Sequence, residues 1–335
     1  MVDKIGRPAT SAQTGIPEST LRGWINNPPV SSPIDQVLAD IESDDQHIPA
    51  QFLDNKTGSV DIWEYLRVAR EVQAVADKAS VGQHEARVKI ETDRPVVIVP
   101  TGDWHFASYS TDHQELEDQL RYVLDTPHLY LIDLGDNIEN FTAFKSVGAV
   151  INQVLPPALQ KEWYKAVLTK MVSEGKILAR TWSNHVEEFD ERIWGGQVQE
   201  FNRLVPYLKD DGRLFLTVGD TEYKIWAKHV APGRSIYNVN HGNKRAARFE
   251  WTEADIYVSA HTHDGPEHDV FIQDGRPKLA MKVPTTKVWS TWSRRYFGRC
   301  LPGMQGIVLH PDQHKIVPFY NVEDAVGYRD YLVSK

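Results

Sequence analysis

Pro95-Val-Val-Ile-Val-Pro-Thr-Gly-Asp-Trp-His105 decides the fold. Its apolar, mostly β-branched residues predict a buried strand, and Gly102 ends it. Asp103 and His105 follow at once, a carboxylate and an imidazole two residues apart. In an open α/β sheet, ligands bind just beyond the carboxyl ends of the strands, so both groups fall on the floor of a site. A single Asp-x-His says little, because such a pair is often a turn aspartate beside an ordinary histidine. Its weight comes from repetition, since the same arrangement recurs downstream.

Outward from this stretch, helix and strand patterns alternate. Leu116, Leu120, Val123 and Leu124 mark a helix, followed by a strand from Leu129 to Leu134. Trp163, Val167 and Met171 mark a second helix before a strand from Ile177 to Trp182. Val198, Phe201, Leu204 and Leu208 have the spacing of a third helix. Such alternation predicts βαβ units. Then the pattern changes. Arg213–Val218, the Gly219-Asp220 turn and Tyr223–His229 predict a β-hairpin. A strand from Asp255 to Ser259 and several short ones complete the chain. The expected fold class is α/β: a four-layer α/β sandwich of two mixed β-sheets flanked by helices, with a small helical N-terminal region.

Residues 1–30 read as a helix-turn-helix-like segment. Gly15–Asn27 has Pro17 at a helix start, with Leu21, Trp24 and Ile25 at helical spacing. A small helical arm for protein interaction reads equally well, since few basic residues accompany it. Residues 31–93 read as a linker and an amphipathic helix, in which Ile62, Leu66, Ala69, Val72 and Val75 or Ala76 share a face. Arg87–Glu91 predicts a strand leading into the large domain, 94–335.

Composition narrows the class. The 335 residues carry a net charge of −9, so the surface as a whole is no polyanion receptor and any nucleic-acid contact is a local basic patch. The lone Cys300 excludes an internal disulfide framework and suits a reducing compartment. No apolar run approaches a membrane span, and the first residues lack a signal-peptide core. The expected location is cytoplasmic, in a bacterium or a phage-infected host, with no membrane partner.

Further strand ends carry more ligands: Gly135-Asp136-Asn137-Ile138-Glu139-Asn140, Ser183-Asn184-His185, His229, and Ala260-His261-Thr262-His263. Imidazoles with carboxylates suit manganese, zinc, iron or nickel rather than calcium. Seven such ligands exceed one tetrahedral site and fit two ions sharing a carboxylate, the arrangement that clamps both oxygens of a phosphoester displacement. Asp133, Glu139 and Asn140 also read as turn and strand-end polar groups. His47, His84, His113, His128, His268, His310 and His314 lack a strand-end setting and read as exposed.

This ordered set resembles the calcineurin-like metallophosphoesterase superfamily over roughly residues 94–320, in particular phage-encoded members and the DNA-repair exonuclease branch. The superfamily's motifs are Asp-x-His, Gly-Asp, Gly-Asn-His, a lone His, and Gly-His-x-His. The resemblance implies two divalent ions, Mn²⁺ first, with Zn²⁺, Fe²⁺ or Ni²⁺ as alternatives. It implies Asp103, His105, Asp136 and His263 on one ion, and Asp136, Asn184, His229 and His261 on the other. The ions would supply the attacking hydroxide, and His185 would protonate the leaving oxygen. Departures are small: Ser183 and Ala260 replace motif glycines, and Val186 stands where a carboxylate usually follows Asn-His. His229 is preferred over His241 as the fourth-motif ligand because the hairpin carries it to a strand edge. His241 would then face phosphate, and Asn140 is a further candidate for substrate contact.

For the substrate, Lys282–Arg299 interleaves Lys282, Lys287, Arg294, Arg295 and Arg299 with Trp289, Trp292, Tyr296 and Phe297, without an acidic residue. Cations pair with phosphates and aromatic faces stack on bases, although amphipathic packing explains the run as well. Lys244 and Arg245 lie close after His241. The sequence thus predicts a two-metal phosphoesterase acting on phosphodiester bonds, with DNA as the expected substrate and nuclease action as the expected outcome. A phosphatase or small-molecule or nucleotide phosphodiesterase, its N-terminus used for self-association or a protein partner, is the alternative. A non-enzymatic binding module is the third class, and the complete ligand set argues against it.

Overall fold

Strand β2, Val96–Thr101, is buried at every position. Its odd and even residues serve two cores: Val96 and Ile98 pack in one cluster, Val97 and Val99 in another. A strand buried on both faces belongs to an inner layer, and the rest of the molecule is arranged around it.

The computed structural model describes Glu18, Ser19, Arg22 and residues 62–79, 83–142, 147–188, 201–235, 237–288 and 301–335. The remainder of the helix-turn-helix-like segment, Arg294, Arg295 and Arg299 lie outside the described residues. The chain divides into two compact units, 1–72 and 73–335. Helix α1, Ile62–Ala79, occupies the stretch predicted for the amphipathic helix, and its Ile62, Tyr65, Leu66 and Val72 side chains are exposed.

The remaining elements are β1 (Gln83–Ile90), α2 (His113–Asp125), β3 (Leu129–Asp133), the short α3 (Val147–Val150), α4 (Pro157–Ser173), β4 (Ile177–Thr181), β5 (Tyr207–Val218), β6 (Thr221–Lys228), α5 (His241–Phe249), β7 (Ile256–Ser259), β8 (Glu267–Gln273), β9 (Arg276–Lys282), β10 (Gly306–Leu309), β11 (Ile316–Phe319) and α6 (Val322–Val333). One sheet runs β11-β10-β2-β3-β4-β5, with β2 to β5 parallel and β10 and β11 added antiparallel. The other runs β1-β5-β6-β7-β9-β8. Strand β5 belongs to both. Tyr207 and Leu208 pair with β4, whereas Arg213–Val218 pair with β6. Between them Gly212 takes φ +64°, and a Cβ there would stand 2.4 Å from the Ala227 carbonyl oxygen, so the strand crosses between sheets at a residue without a side chain.

The sheets face each other through Ile98, Ile132, Leu134, Leu216, Ile225, Ile256 and Val258. The outer face of the first is covered by α2, α4 and α6 through Val123, Met171, Val322 and Ala325. Ala246 and Ala247 of α5 cover Trp226 and Tyr257 on the second. The architecture is therefore the expected four-layer sandwich. Asp112 caps α2 by accepting from the Glu115 N–H at 3.1 Å, and Asn321 caps α6 likewise at 2.8 Å.

Two sequence expectations fail here. Phe201–Leu204 form a single tight turn and Leu208 lies within β5, so no helix spans the described part of the third predicted one. Phe201 packs edge-on against Tyr164, and Leu208 joins the inter-sheet core; their helical spacing arises from two separate packing duties. His310, expected to be exposed, is 4 % exposed.

Candidate metal centre

Four strand ends and one hairpin strand meet at one place. The turn after β2 is stitched to the turn after β3 by Asp103 N–H to the Gly135 carbonyl and His105 N–H to that of Asp136, both 2.9 Å. Gly135, at φ +90°, sits against Ser183 so closely that a Cβ would fall 2.3 Å from the serine Cβ. Glycine there lets the turn after β3 approach the turn after β4, and Ser183 fits because its partner has no side chain. Asp103, His105, Asp136, His261 and His263 all have positive φ, between 45° and 76°. Non-glycine residues hold this conformation at a cost of about 1–3 kcal/mol each, and such strain gathers at functional sites.

The side chains form two clusters that meet at Asp136. In the first, His105 Nε2 lies 3.0 Å from His263 Nε2, and His263 Nε2 lies 3.6 Å from Asp103 Oδ1. In the second, His229 Nε2 is 3.1 Å from Asp136 Oδ2, 3.0 Å from Asn184 Oδ1 and 3.1 Å from His261 Nδ1. The same Asp136 Oδ2 stands 4.0 Å from His105 Nε2, so one carboxylate oxygen faces both clusters. Asp103, His105, Asp136, His229 and His263 are all buried.

Second-layer partners fix which nitrogens face inward. His105 donates from Nδ1 to Glu139 Oε2 at 2.8 Å, and Lys287 Nζ holds both Glu139 oxygens at 2.6 and 2.8 Å. His229 donates from Nδ1 to the Leu134 carbonyl at 2.8 Å. These bonds leave the Nε2 atoms directed at the clusters, as in metal sites whose histidines give their other N–H to a carboxylate or carbonyl.

Electrostatics point the same way. Burial raises the carboxyl of Asp136, but His229 and His185 outweigh it and hold it well below the carboxylate range. Burial likewise opposes protonation of His229, yet Asp136 and Asp103 bring it up to about 9. Burial and then Lys287 push His105 down to about 3; burial and then His229 push His261 down to about 4. Without a metal, His229 thus carries a proton between two carboxylates while His105 and His261 are neutral. The donor set fits divalent cations. In each cluster the candidate ligand atoms lie within 4.8 Å of one another, and among the described residues the buried Asp103 Oδ1 accepts no hydrogen bond.

His185 borders both groups. Its N–H donates to Asp136 Oδ1 at 3.0 Å, and its ring donates from Nδ1 to the Glu139 carbonyl at 2.6 Å. Glu187 accepts from Ser183 N–H at 2.9 Å and pairs with buried Arg180. Asn140 donates from Nδ2 to the His185 carbonyl at 2.7 Å. Three more predicted substrate residues are described. His241 opens α5 beside Gly233 and belongs to none of the ligand clusters among the described residues. Lys244 is paired with Asp269 at 2.8 Å, and the Arg245 guanidinium lies 5.8 Å from the Phe249 ring centre. Lys282 and Lys287, counted in the basic run, are largely buried.

Sequence reasoning treated Glu139 as a turn residue. The signal that finds it is chemical: a ligand histidine needs an acceptor for its second nitrogen, and Glu139 is a carboxylate one turn past Asp136. Lys287 gave no such signal, because its partner lies 148 residues away.

No family model matches the sequence, and no curated protein matches it. Among solved structures, the chain is similar to Vacuolar Protein Sorting 29 from Cryptosporidium parvum, at 14 % identity and TM-score 0.36, over 68 % of this chain and 100 % of that one. It is also similar to Vps29 of Chaetomium thermophilum, at 10 % identity and TM-score 0.30 over 67 % and 94 %. A third similar structure is GAP50, the anchor in the inner membrane complex of Plasmodium, at 12 % identity and TM-score 0.31 over 67 % and 84 %.

Proposed function

We propose that this chain is a two-metal phosphoesterase that hydrolyses phosphodiester bonds, with DNA as its substrate class. One observation carries the chemistry: Asp136 Oδ2 faces the His229 cluster at 3.1 Å and His105 at 4.0 Å, where a shared ligand belongs. Asp103, His105, Asp136 and His263 would hold one ion, and Asp136, Asn184, His229 and His261 the other. When bound, such a pair supplies Lewis acidity and a water acidified toward neutral pH, with Mn²⁺ the preferred metal.

The residues themselves do the rest. Glu139 and the Leu134 carbonyl fix His105 and His229 in the tautomers that present Nε2. His185 is held at its backbone by Asp136 and Asn140 and at its ring by the Glu139 carbonyl. Its Nε2, 3.9 Å from Asp136 Oδ2, would give a proton to the leaving oxygen. His105 and Phe141 flank the ring edge-on at 4.7 and 4.9 Å and limit its rotation.

DNA is supported by sequence features: the helix-turn-helix-like segment, and Arg294 and Arg295 among aromatics. A nucleotide phosphodiesterase or phosphatase is the second reading, favoured by the burial of Lys282 and Lys287, which removes two cations from that run. In it the N-terminal segment serves self-association or a protein partner. Incubation with Mn²⁺ and duplex DNA, single-stranded DNA, a chromogenic diester and a chromogenic monoester separates them. Degradation of either DNA supports nuclease action. Cleavage of the small esters alone supports the second reading, and turnover of none overturns both.

A further inference from the structure

Beside the metal centre lies a second concavity that the mechanism above does not use. Its wall runs from the loop after β6 across the N-terminus of α5 to the end of β9, and it includes Arg234, Gly242, His261, Thr262, Asp264 and Lys282. His261 belongs to this wall and to the second ligand cluster, so the two sites share a residue.

The pocket is built around a buried cation. Lys282 is only 4 % exposed, yet among the described residues its ammonium makes a single hydrogen bond, a long one of 3.4 Å to Ser259 Oγ. An ammonium has three donors, and a buried one without acceptors is costly. Arg234 adds a second positive charge to the wall. Asn240, at the N-cap of α5, makes no side-chain capping bond; the His241 N–H goes to the Asn238 carbonyl, and the Gly242 and Asn243 N–H groups are not closed off by the cap. Asp264 is the opposing charge in the wall, and its Oδ1 is engaged by the Thr262 hydroxyl. About 30 Å³ of the pocket is open to the centres of water-sized groups, room for roughly two waters or the oxygens of a phosphoryl group.

We propose that this pocket binds a second, uncleaved phosphate of the substrate, held chiefly by Lys282. The inference rests on the phosphodiesterase reading and sharpens it. The preferred substrate carries a phosphate next to the scissile one, either the flanking diester of a strand or a terminal monoester.

The test uses the full chain loaded with Mn²⁺ and three thymidine substrates: TpT, pTpT with a terminal phosphate, and TpTpT with a flanking diester. The expected result is a kcat/KM for pTpT or TpTpT about 10–100-fold above that for TpT, the range of a charge-assisted hydrogen bond. Which of the two gains identifies the source of the phosphate. In Lys282→Met the ratio should collapse toward one, and in Lys282→Arg much of it should return. A wild-type ratio of one overturns the proposal without any variant, as does a preference that Lys282→Met retains. Binding is read separately on metal-stripped protein, where inorganic phosphate should raise the Tm of wild type and raise it less in Lys282→Met. If that shift is seen while no diester is cleaved, the pocket stands and the phosphodiesterase reading falls. If diesters are cleaved with neither a preference nor a Lys282-dependent shift, the pocket alone falls.

Discussion

Two buried charged clusters lie within a few residues of each other along the chain, and they differ in how their lone pairs are used. Around Arg180, which is 0 % exposed, the carboxylate oxygens are engaged by protein donors. The guanidinium pairs with Glu187 and Asn202; Glu187 Oε2 accepts from Ser183; Tyr164 donates to Asp133 Oδ2 at 2.6 Å; and Asp133 Oδ1 accepts from Gly135 N–H and Asn137. Around Asp136, imidazole nitrogens face one another at 3.0 and 3.1 Å, Asp103 Oδ1 accepts no hydrogen bond among the described residues, and five backbones are strained. In the first cluster every carboxylate oxygen has a protein donor. The second gathers ligand atoms that could hold a metal ion. Buried charge alone therefore does not mark a site, whereas buried charge with unused lone pairs does.

The comparison is most sharply tested at His185 and Glu187, two residues apart. His185→Gln should lower kcat by roughly 10²–10⁴-fold with the metal content unchanged, as expected for loss of a general acid. If elemental analysis shows that metal is lost too, His185 is a ligand. Glu187→Ala should instead act on stability, by about 3–5 kcal/mol in denaturant unfolding, because it leaves Arg180 buried and unpaired. Unchanged stability with lost metal would place Glu187 in the wrong cluster.

A smaller effect is expected one layer out. Glu139→Gln removes the carboxylate that orients His105 and leaves Lys287 unpaired. It should weaken metal affinity about 10–100-fold, measured by chelator competition.

Which parts of this were legible in the sequence follows from how local the signals are. Apolar strands, hairpin turn and strand-end ligands each lie within a few residues, and all seven ligand candidates meet in the structure. The third helix failed because Phe201 and Leu208 share a period without sharing an element. Of the basic run, the described Lys282 and Lys287 are buried against Ser259 and Glu139, partners too distant in sequence for any local pattern to announce.

The mildest test concerns pH in metal-stripped protein. His229, raised to about 9 from an ordinary value near 6.5, contributes stability that is full below 6.5 and lost as pH rises through 9. His261 and His105, lowered to about 4 and 3, act in the other direction, so stability declines as pH falls below 6.5 toward those values. Metal-stripped protein should therefore lose Tm between pH 6.5 and 9. Mn²⁺-loaded protein should not, because the metal replaces the proton on His229. Parallel profiles for the two forms would contradict the assignment of His229.

The central claim is that Asp136 joins two ion sites, and metal stoichiometry tests it most directly. Calorimetric titration of the stripped chain with Mn²⁺, checked by elemental analysis after desalting, should give two ions per wild-type chain. Asp136→Asn should weaken both sites together and abolish hydrolysis. Two ions bound with unchanged affinity in Asp136→Asn, or fewer than two in the wild type, would contradict it.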